Sequence, residues 1–267
     1  MQASKTGQIV WHDLFTPDRT RAMDFYRQAA GWNYQTEQAA DFAWGGGEKA
    51  FVLALLDGEA GAGFAETPPG LPDGWIPYAE VADVDAAAAQ AEDLGGDILR
   101  SPFEVPGVGR NALLRDPLGA LLGISLSRHS FPAPARQFGP EIYLSNGAGF
   151  PAKFYAAVCG WQLQAAQAQP QAQAQAAVPI LGPSNRLAGW HLTHVLPPLP
   201  RPAWVPNIKT ASAAAGRLAA EALGARFAGE AVLPGTQTPC FLLQTPGGAT
   251  AVFSTAPARG GPVSTSG

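Results

Sequence analysis

Charge is scarce in this chain: Asp, Glu, Lys and Arg together make up 14% of its 267 residues. Lys and Arg number 17 against 21 Asp and Glu, for a net charge of −4 and a pI of about 5.5. No basic stripe is visible, which excludes the electrostatic footprint of a nucleic-acid-binding protein. Cysteine is nearly absent. Cys159 and Cys240 form no close-spaced pair, and both read as small buried apolar residues of a reduced, cytoplasmic protein. No apolar run is long enough to span a bilayer, and the opening MQASKTGQ lacks the apolar core of a secretory leader.

What the chain has is hydrophobic residues (46%) in numbers that let one large domain or two ordinary ones bury a core unaided. It also repeats itself. Phe25-Tyr26 and Gly31-Trp32 return as Phe154-Tyr155 and Gly160-Trp161. Trp75 and Pro77 return as Trp204 and Pro206, and Glu92, Leu94 and Gly95 as Glu221, Leu223 and Gly224. Pro117, Gly119 and Ser125 return as Pro246, Gly248 and Ser254, and the offset is 129 throughout (154 − 25, 204 − 75). One offset held by rare Trp and by conformationally demanding Gly and Pro means two domains with nearly equal loop lengths. The expected division is a domain at 1–130, a Pro/Ala-rich linker at 131–136, a second domain at 137–256 and a disordered tail at 257–267. The Ala/Gln run at 162–177 is low in complexity; its first part can continue a strand, and the rest reads either as a surface loop or as drift in composition without function.

Each half carries two β-then-α units. The stretch 8–15 is β-branched and aromatic and reads as a strand. Thr16 then serves as N-cap, with Pro17 at the first helical position. Ala22, Phe25, Tyr26 and Ala29 follow at helical spacing until Gly31 stops the helix. Strands are expected at 32–37, 51–56, 60–66 and 75–81. Asp83 caps an Ala-rich helix ending near Leu94, and strands follow near 97–99, 111–115 and 120–127. The second half repeats the plan, with helices near 150–159 and 212–223.

Together these motifs resemble a known family. Thr16-Pro17-Asp18, Phe25-Tyr26 and Gly31-Trp32 resemble its first module; Trp75-Ile76-Pro77-Tyr78, the run from Val81 to Ala87 and Leu94-Gly95-Gly96 resemble its second. With Val105 to Gly109 and Asp116-Pro117-Leu118-Gly119, the order and spacing look like the glyoxalase / bleomycin resistance protein / extradiol dioxygenase (vicinal oxygen chelate, VOC) superfamily, in its two-domain glyoxalase-like subgroup. The resemblance covers most of 8–128 and, more weakly, 138–255. It implies an α+β fold of tandem domains, each of two βαβββ modules whose strands curl into a cup. In catalytic relatives the cup holds a divalent metal (Fe, Ni, Zn or Mn) that acts as a Lewis acid on vicinal oxygens.

The resemblance places the family's ligands at Trp11, Ile76 and Gly123 in the first half and at Pro140, Val205 and Val252 in the second, none a usual ligand. No cofactor is therefore expected, although a divalent metal on non-standard ligands stays open through His12, His191 or His194. A strand register shifted by one would bring His12 and Glu141 to the first ligand position. Trp11, Asp13, Phe15, Tyr78 and Glu80 are expected to line the first cup, and Ile142, Leu144, Asn207 and Lys209 the second. Asp13 and Glu80 on neighbouring strands form a candidate catalytic carboxylate pair, in which burial and repulsion raise one pKa and make a general base. The alternative is that each is held by another polar group. Trp44 and Trp190, which do not repeat, are candidates for ligand stacking. Trp32, Trp75, Trp161 and Trp204 do repeat, which argues for packing. Arg110 and Arg115 either bind an anion or are solvated strand-edge charges, and the glycines at 45–47 read as a hairpin rather than a phosphate loop.

Three functions stay open: a small-molecule pocket protein without the usual metal site, a metal-dependent lyase or dioxygenase of glyoxalase type, and a non-catalytic protein that sequesters a drug or metabolite. A small-molecule ligand is expected in each, with no nucleic-acid or membrane partner, in a monomer or homodimer.

Overall fold

The computed structural model describes residues 5–38, 50–67, 72–164, 177–193, 201–234, 236 and 238–256. The first half runs β1 (Ile9–Thr16), α1 (Arg19–Ala30), β2 (Asn33–Gln38), β3 (Ala50–Leu56) and β4 (Glu59–Glu66), then β5 (Gly74–Glu80), α2 (Val84–Asp93), β6 (Asp97–Val105), β7 (Gly109–Arg115) and β8 (Leu121–Ser127). These are two βαβββ modules. Their strands join in one eight-stranded sheet in the order β2-β3-β4-β1-β5-β8-β7-β6. The start of α1 corrects the expected cap. Thr16 ends β1, and Asp18 is the N-cap, its carboxylate accepting from the Arg21 N–H at 2.9 Å. An Asp at that distance satisfies the free donor better than a threonine two residues earlier can. Asp83 caps α2 as expected, and Gly31 closes α1 in the left-handed conformation, at φ 72°.

The second half repeats the plan with β9 (Glu141–Leu144), α3 (Ala152–Cys159), β10 (Gln162–Leu163), β11 (Ala177–Leu181) and β12 (Leu187–Leu192). Then come β13 (Ala203–Val205), β14 (Asn207–Thr210), α4 (Ala213–Ala222), β15 (Arg226–Ala231), β16 (Cys240–Gln244) and β17 (Thr250–Thr255). Its strands form two sheets rather than one, in the orders β10-β11-β12-β9-β13 and β14-β17-β16-β15. Pro206, which has no N–H to give, separates β13 from β14. Its counterpart Pro77 stays within β5 opposite His12, so the proline alone does not split the sheet. The incoming chain bends as well: Phe138 bridges Ile208, whereas β9 pairs β12 and β13. The rest of the Ala/Gln run and the tail lie outside the described residues.

Helices cover one face of each sheet, and the halves dock through those faces. One core combines Ala79, Val84, Leu114 and Ile124 with Tyr143, Phe154, Tyr155 and Trp161; another combines Leu14, Tyr26, Trp32 and Phe64 with Phe138, Ile208, Leu243 and Phe253. The repeated aromatics fix this interface. The Trp75 Nε1–H donates to the Tyr26 hydroxyl at 2.9 Å, and the Trp204 Nε1–H donates to the Tyr155 hydroxyl at 2.7 Å. Asp116, in the turn before β8, crosses to the other half: Oδ2 accepts from the Tyr143 and Tyr155 hydroxyls at 2.8 and 2.9 Å. Thr245, 129 residues on, bonds Tyr26 in return. At the centre, equivalent residues of β1 and β9 meet, His12 Nε2 and Glu141 Oε1 lying 2.5 Å apart with both side chains buried.

Candidate functional site

The opposite face of the first sheet is the cup. Alternation along β1 sends Leu14 and His12 to the interface and Trp11, Asp13 and Phe15 to this side. Beside them lie Ala65 of β4, Ile76 and Tyr78 of β5, Leu113 of β7 and Leu121 of β8. The register sets Asp13 abreast of Gly63 and Ile76, and Trp11 abreast of Tyr78, which in turn pairs with Gly123. Two glycines make room for rings. A Cβ on Gly123 would lie 2.3 Å from the Tyr78 ring, and one on Gly63 would lie 1.9 Å from Phe51 and 2.7 Å from Asp13 Oδ1. Phe51 and Tyr78 thus lie against bare backbone on either side of Asp13.

Asp13 is the polar centre of this cup. Its Oδ1 accepts from Trp11 Nε1–H at 2.9 Å, and the Tyr78 hydroxyl also bonds its carboxylate. Burial pushes the carboxyl up from 3.8 to about 6, against the opposing pull of the Tyr78 and Trp11 hydrogen bonds and the charge of His12. Burial and the neighbouring Asp13 likewise push the Tyr78 hydroxyl well above its ordinary value.

Glu80 does not join Asp13. Its Oε2 accepts from Ser127 Oγ–H at 2.6 Å and its Oε1 from the Ser127 N–H at 3.0 Å. Asp13 pairs with Ile76, four residues back along β5 and so about 13 Å from Glu80 at the usual rise per residue. The expected carboxylate pair is therefore corrected: Asp13 is raised by desolvation, not by repulsion from Glu80.

The second cup is filled by apolar side chains. Ile142, Leu144, Trp190, Leu192, Val205, Leu242 and Val252 pack together, and the cavity beside them holds about 10 Å³, room for about one water molecule. Trp190 is part of this packing. Asn207 is buried against Gly139, and Lys209 donates through Nζ to the Ala135 carbonyl of the linker. His12 and His191, held open as metal ligands, face away from the cups. His12 stacks on Phe138 at 3.8 Å, and His191 Nε2 lies 2.8 Å from Ser145 Oγ, where burial pulls its pKa down. Trp44, His194 and the glycines at 45–47 lie outside the described residues. Arg110 is paired with Asp85 at 2.6 Å and Arg115 with Asp97 at 3.4 Å, which accounts for both without an anion. Sequence reasoning missed the role of Asp116, for which the tight-turn motif was the one available signal, and it missed Phe51.

Residues 8–124 match the model of the family described as the Glyoxalase/Bleomycin resistance protein/Dioxygenase superfamily. A Mycobacterium tuberculosis protein provisionally named glyoxylase CFP32 is 32% identical over 164 residues, which cover 58% of this chain and 61% of that one. The match thus spans less than two thirds of that relative's length. Among solved structures, a mutant of 4-hydroxymandelate synthase from Streptomyces coelicolor aligns with a TM-score of 0.62 at 11% identity, covering 97% of this chain and 95% of that one. The Mn(II)-bound glyoxalase from Novosphingobium aromaticivorans aligns at 0.58 and 16% identity, covering 95% and 83%. At these identities the structural likeness is one of fold.

A metal such as that glyoxalase holds does not fit the described residues of the first cup. Asp13 is one carboxylate among Trp11, Phe15, Ile76, Tyr78 and Gly123, and a divalent ion needs several oxygen or nitrogen donors. Among the described residues, no three His, Cys, Asp or Glu side chains come together as a ligand set.

Proposed function

We propose that this chain, whose residues 8–124 match the model of the Glyoxalase/Bleomycin resistance protein/Dioxygenase superfamily, binds a small molecule in the cup of its first half, with Asp13 as the ionisable group facing the ligand. The observation that carries this reading is the Asp13–Trp11–Tyr78 cluster: a buried carboxylate with two neutral donors, poised near neutral pH, on the cup face of the fold. A carboxyl at about 6 exchanges a proton readily at physiological pH, so the site suits proton transfer without a metal as well as binding. Trp11, Phe15 and Tyr78 supply apolar walls, and the second half, with Ile142 where the first has Asp13, supports the first by packing. Units at 1–130 and 137–256 face each other through their helices, an arrangement that lets one chain act as a monomer.

The test is a thermal-shift screen of the full chain with small aromatic and dicarbonyl compounds, followed by NMR of the Trp indole N–H groups. Ligands that stabilise the protein should move the Trp11 signal and lose affinity in Trp11→Ala. Ligands that move Trp190 and leave Trp11 untouched would refute the assignment to the first cup. The same assay with Fe, Ni, Zn and Mn addresses the metal: stoichiometric retention with clear stabilisation would overturn the metal-independent reading and favour a glyoxalase-type lyase or dioxygenase. Binding without turnover of any hit would favour sequestration.

A further inference from the structure

The first cup encloses a carboxylate to which, among the described residues, no positive group is bonded. Asp13 is 4% exposed, and its hydrogen-bond partners Trp11 and Tyr78 are neutral. The positive groups that act on this cluster have other partners. His12 is on the other face of β1 with Glu141. Arg100 bears on Tyr78, and its guanidinium lies 3.4 Å from the centre of the Phe103 ring. Glu80, the other acid on β5, is taken up by Ser127. Burying an anion in this way is unfavourable unless a cation completes it. The fold does not require the charge, because the counterpart of Asp13 in the second half is Ile142. The walls beside it are aromatic, Trp11, Phe15, Phe51 and Tyr78, and ring faces attract cations.

We propose that the first cup takes a small organic cation, an amine or quaternary ammonium whose charge sits against Asp13 and whose substituents lie on Trp11, Tyr78 and Phe51. This rests on the reading of the first cup as the ligand site and adds the ligand's charge. The half-buried Phe51 ring fills the space over Gly63 beside Asp13, and the cationic head takes that space as the ring turns aside. A cation there favours the ionised carboxylate, so binding weakens as the pH falls through about 6.

Choline and its neutral isostere 3,3-dimethyl-1-butanol differ by one charge and serve as probes. Each is titrated into the full chain at pH 8 and pH 5, and the Trp11 indole resonance is followed. At pH 8 choline should bind at least about tenfold more tightly than the alcohol. The preference should shrink at pH 5 and vanish in Asp13→Asn, which still takes the alcohol. Equal affinities in the natural protein, or a choline preference that survives in Asp13→Asn, overturn the inference while leaving the first cup as a ligand site. If neither probe moves Trp11 at any concentration up to saturation of the sample, the inference and the reading of the cup fall together.

Discussion

Replacing Asp13 by Asn should make the protein more stable at neutral pH, because the carboxylate sits where burial disfavours its charge. Its carboxyl lies at about 6 in the folded chain, against 3.8 for an ordinary aspartate. Between those values the folded state holds a proton that the unfolded state has lost, so stability falls as the pH rises through the window. Above about 6 the full cost is present; below 3.8 it is absent. A gap of roughly two pH units at 1.36 kcal/mol each amounts to ~3 kcal/mol. Asn keeps the size of the side chain and an oxygen for the Trp11 N–H, and the Tyr78 hydroxyl can turn to accept from the new amide. Part of the gain is lost in that rearrangement, leaving an expected stabilisation of about 1–3 kcal/mol at pH 8. Urea denaturation of both proteins at pH 4 and pH 8 measures it. The difference should be large at pH 8 and near zero at pH 4. A variant less stable than the natural protein at pH 8, or a difference that does not change with pH, would refute the argument that Asp13 carries a buried, uncompensated charge.

Two further predictions concern the interface. His12→Leu leaves Glu141 buried without its partner and should cost about 3–5 kcal/mol, whereas the double change His12→Leu, Glu141→Leu should recover most of that; a denaturant double-mutant cycle showing no coupling between the two would count against the pair. Asp116→Ala removes the acceptor of the Tyr143 and Tyr155 hydroxyls and should cost roughly 2–5 kcal/mol, with both halves losing stability together in hydrogen exchange; loss confined to the turn 116–119 would mean that Asp116 serves its own turn and not the interface.

Much of the fold was legible in the sequence because its strongest determinants are local. Gly31 and Gly160 end helices in the left-handed conformation, the run from Val84 to Ala91 has helical period, and β1 alternates between two faces. The 129-residue offset then supplied the pairing of halves, which no local pattern contains. The candidate site was legible in part. The alternation of β1 and β5 identified Asp13, Tyr78 and Glu80 as facing the cup, but it carries no information on distance along a strand, so Glu80 was joined to Asp13 when its position four residues beyond Ile76 gives it to Ser127. Partners from distant strands were beyond reach for the same reason. Phe51 lies on Gly63, and Asp116 meets Tyr155, through contacts that depend on sheet register and on the docking of halves.

The repeat itself separates what the fold needs from what one half has added. At the interface the equivalent positions keep their chemistry: Tyr26 with Trp75 and Tyr155 with Trp204 make the same hydrogen bond, and Asp116 and Thr245 both supply a tyrosine partner from the other half. On the cup faces they diverge. Asp13, Tyr78, Gly123 and Phe15 correspond to Ile142, Asn207, Val252 and Leu144. Tight packing restrains the first set, since an interface of interlocking rings tolerates few changes in volume or hydrogen bonding. The cup faces answer to no such constraint from the partner half. A carboxylate that packing does not demand, retained in an apolar cup at a cost of ~3 kcal/mol, is the kind of strain that a ligand relieves. Because that strain has no counterpart at Ile142 in the second half, it is the ground on which the first cup, rather than the second, is proposed as the ligand site.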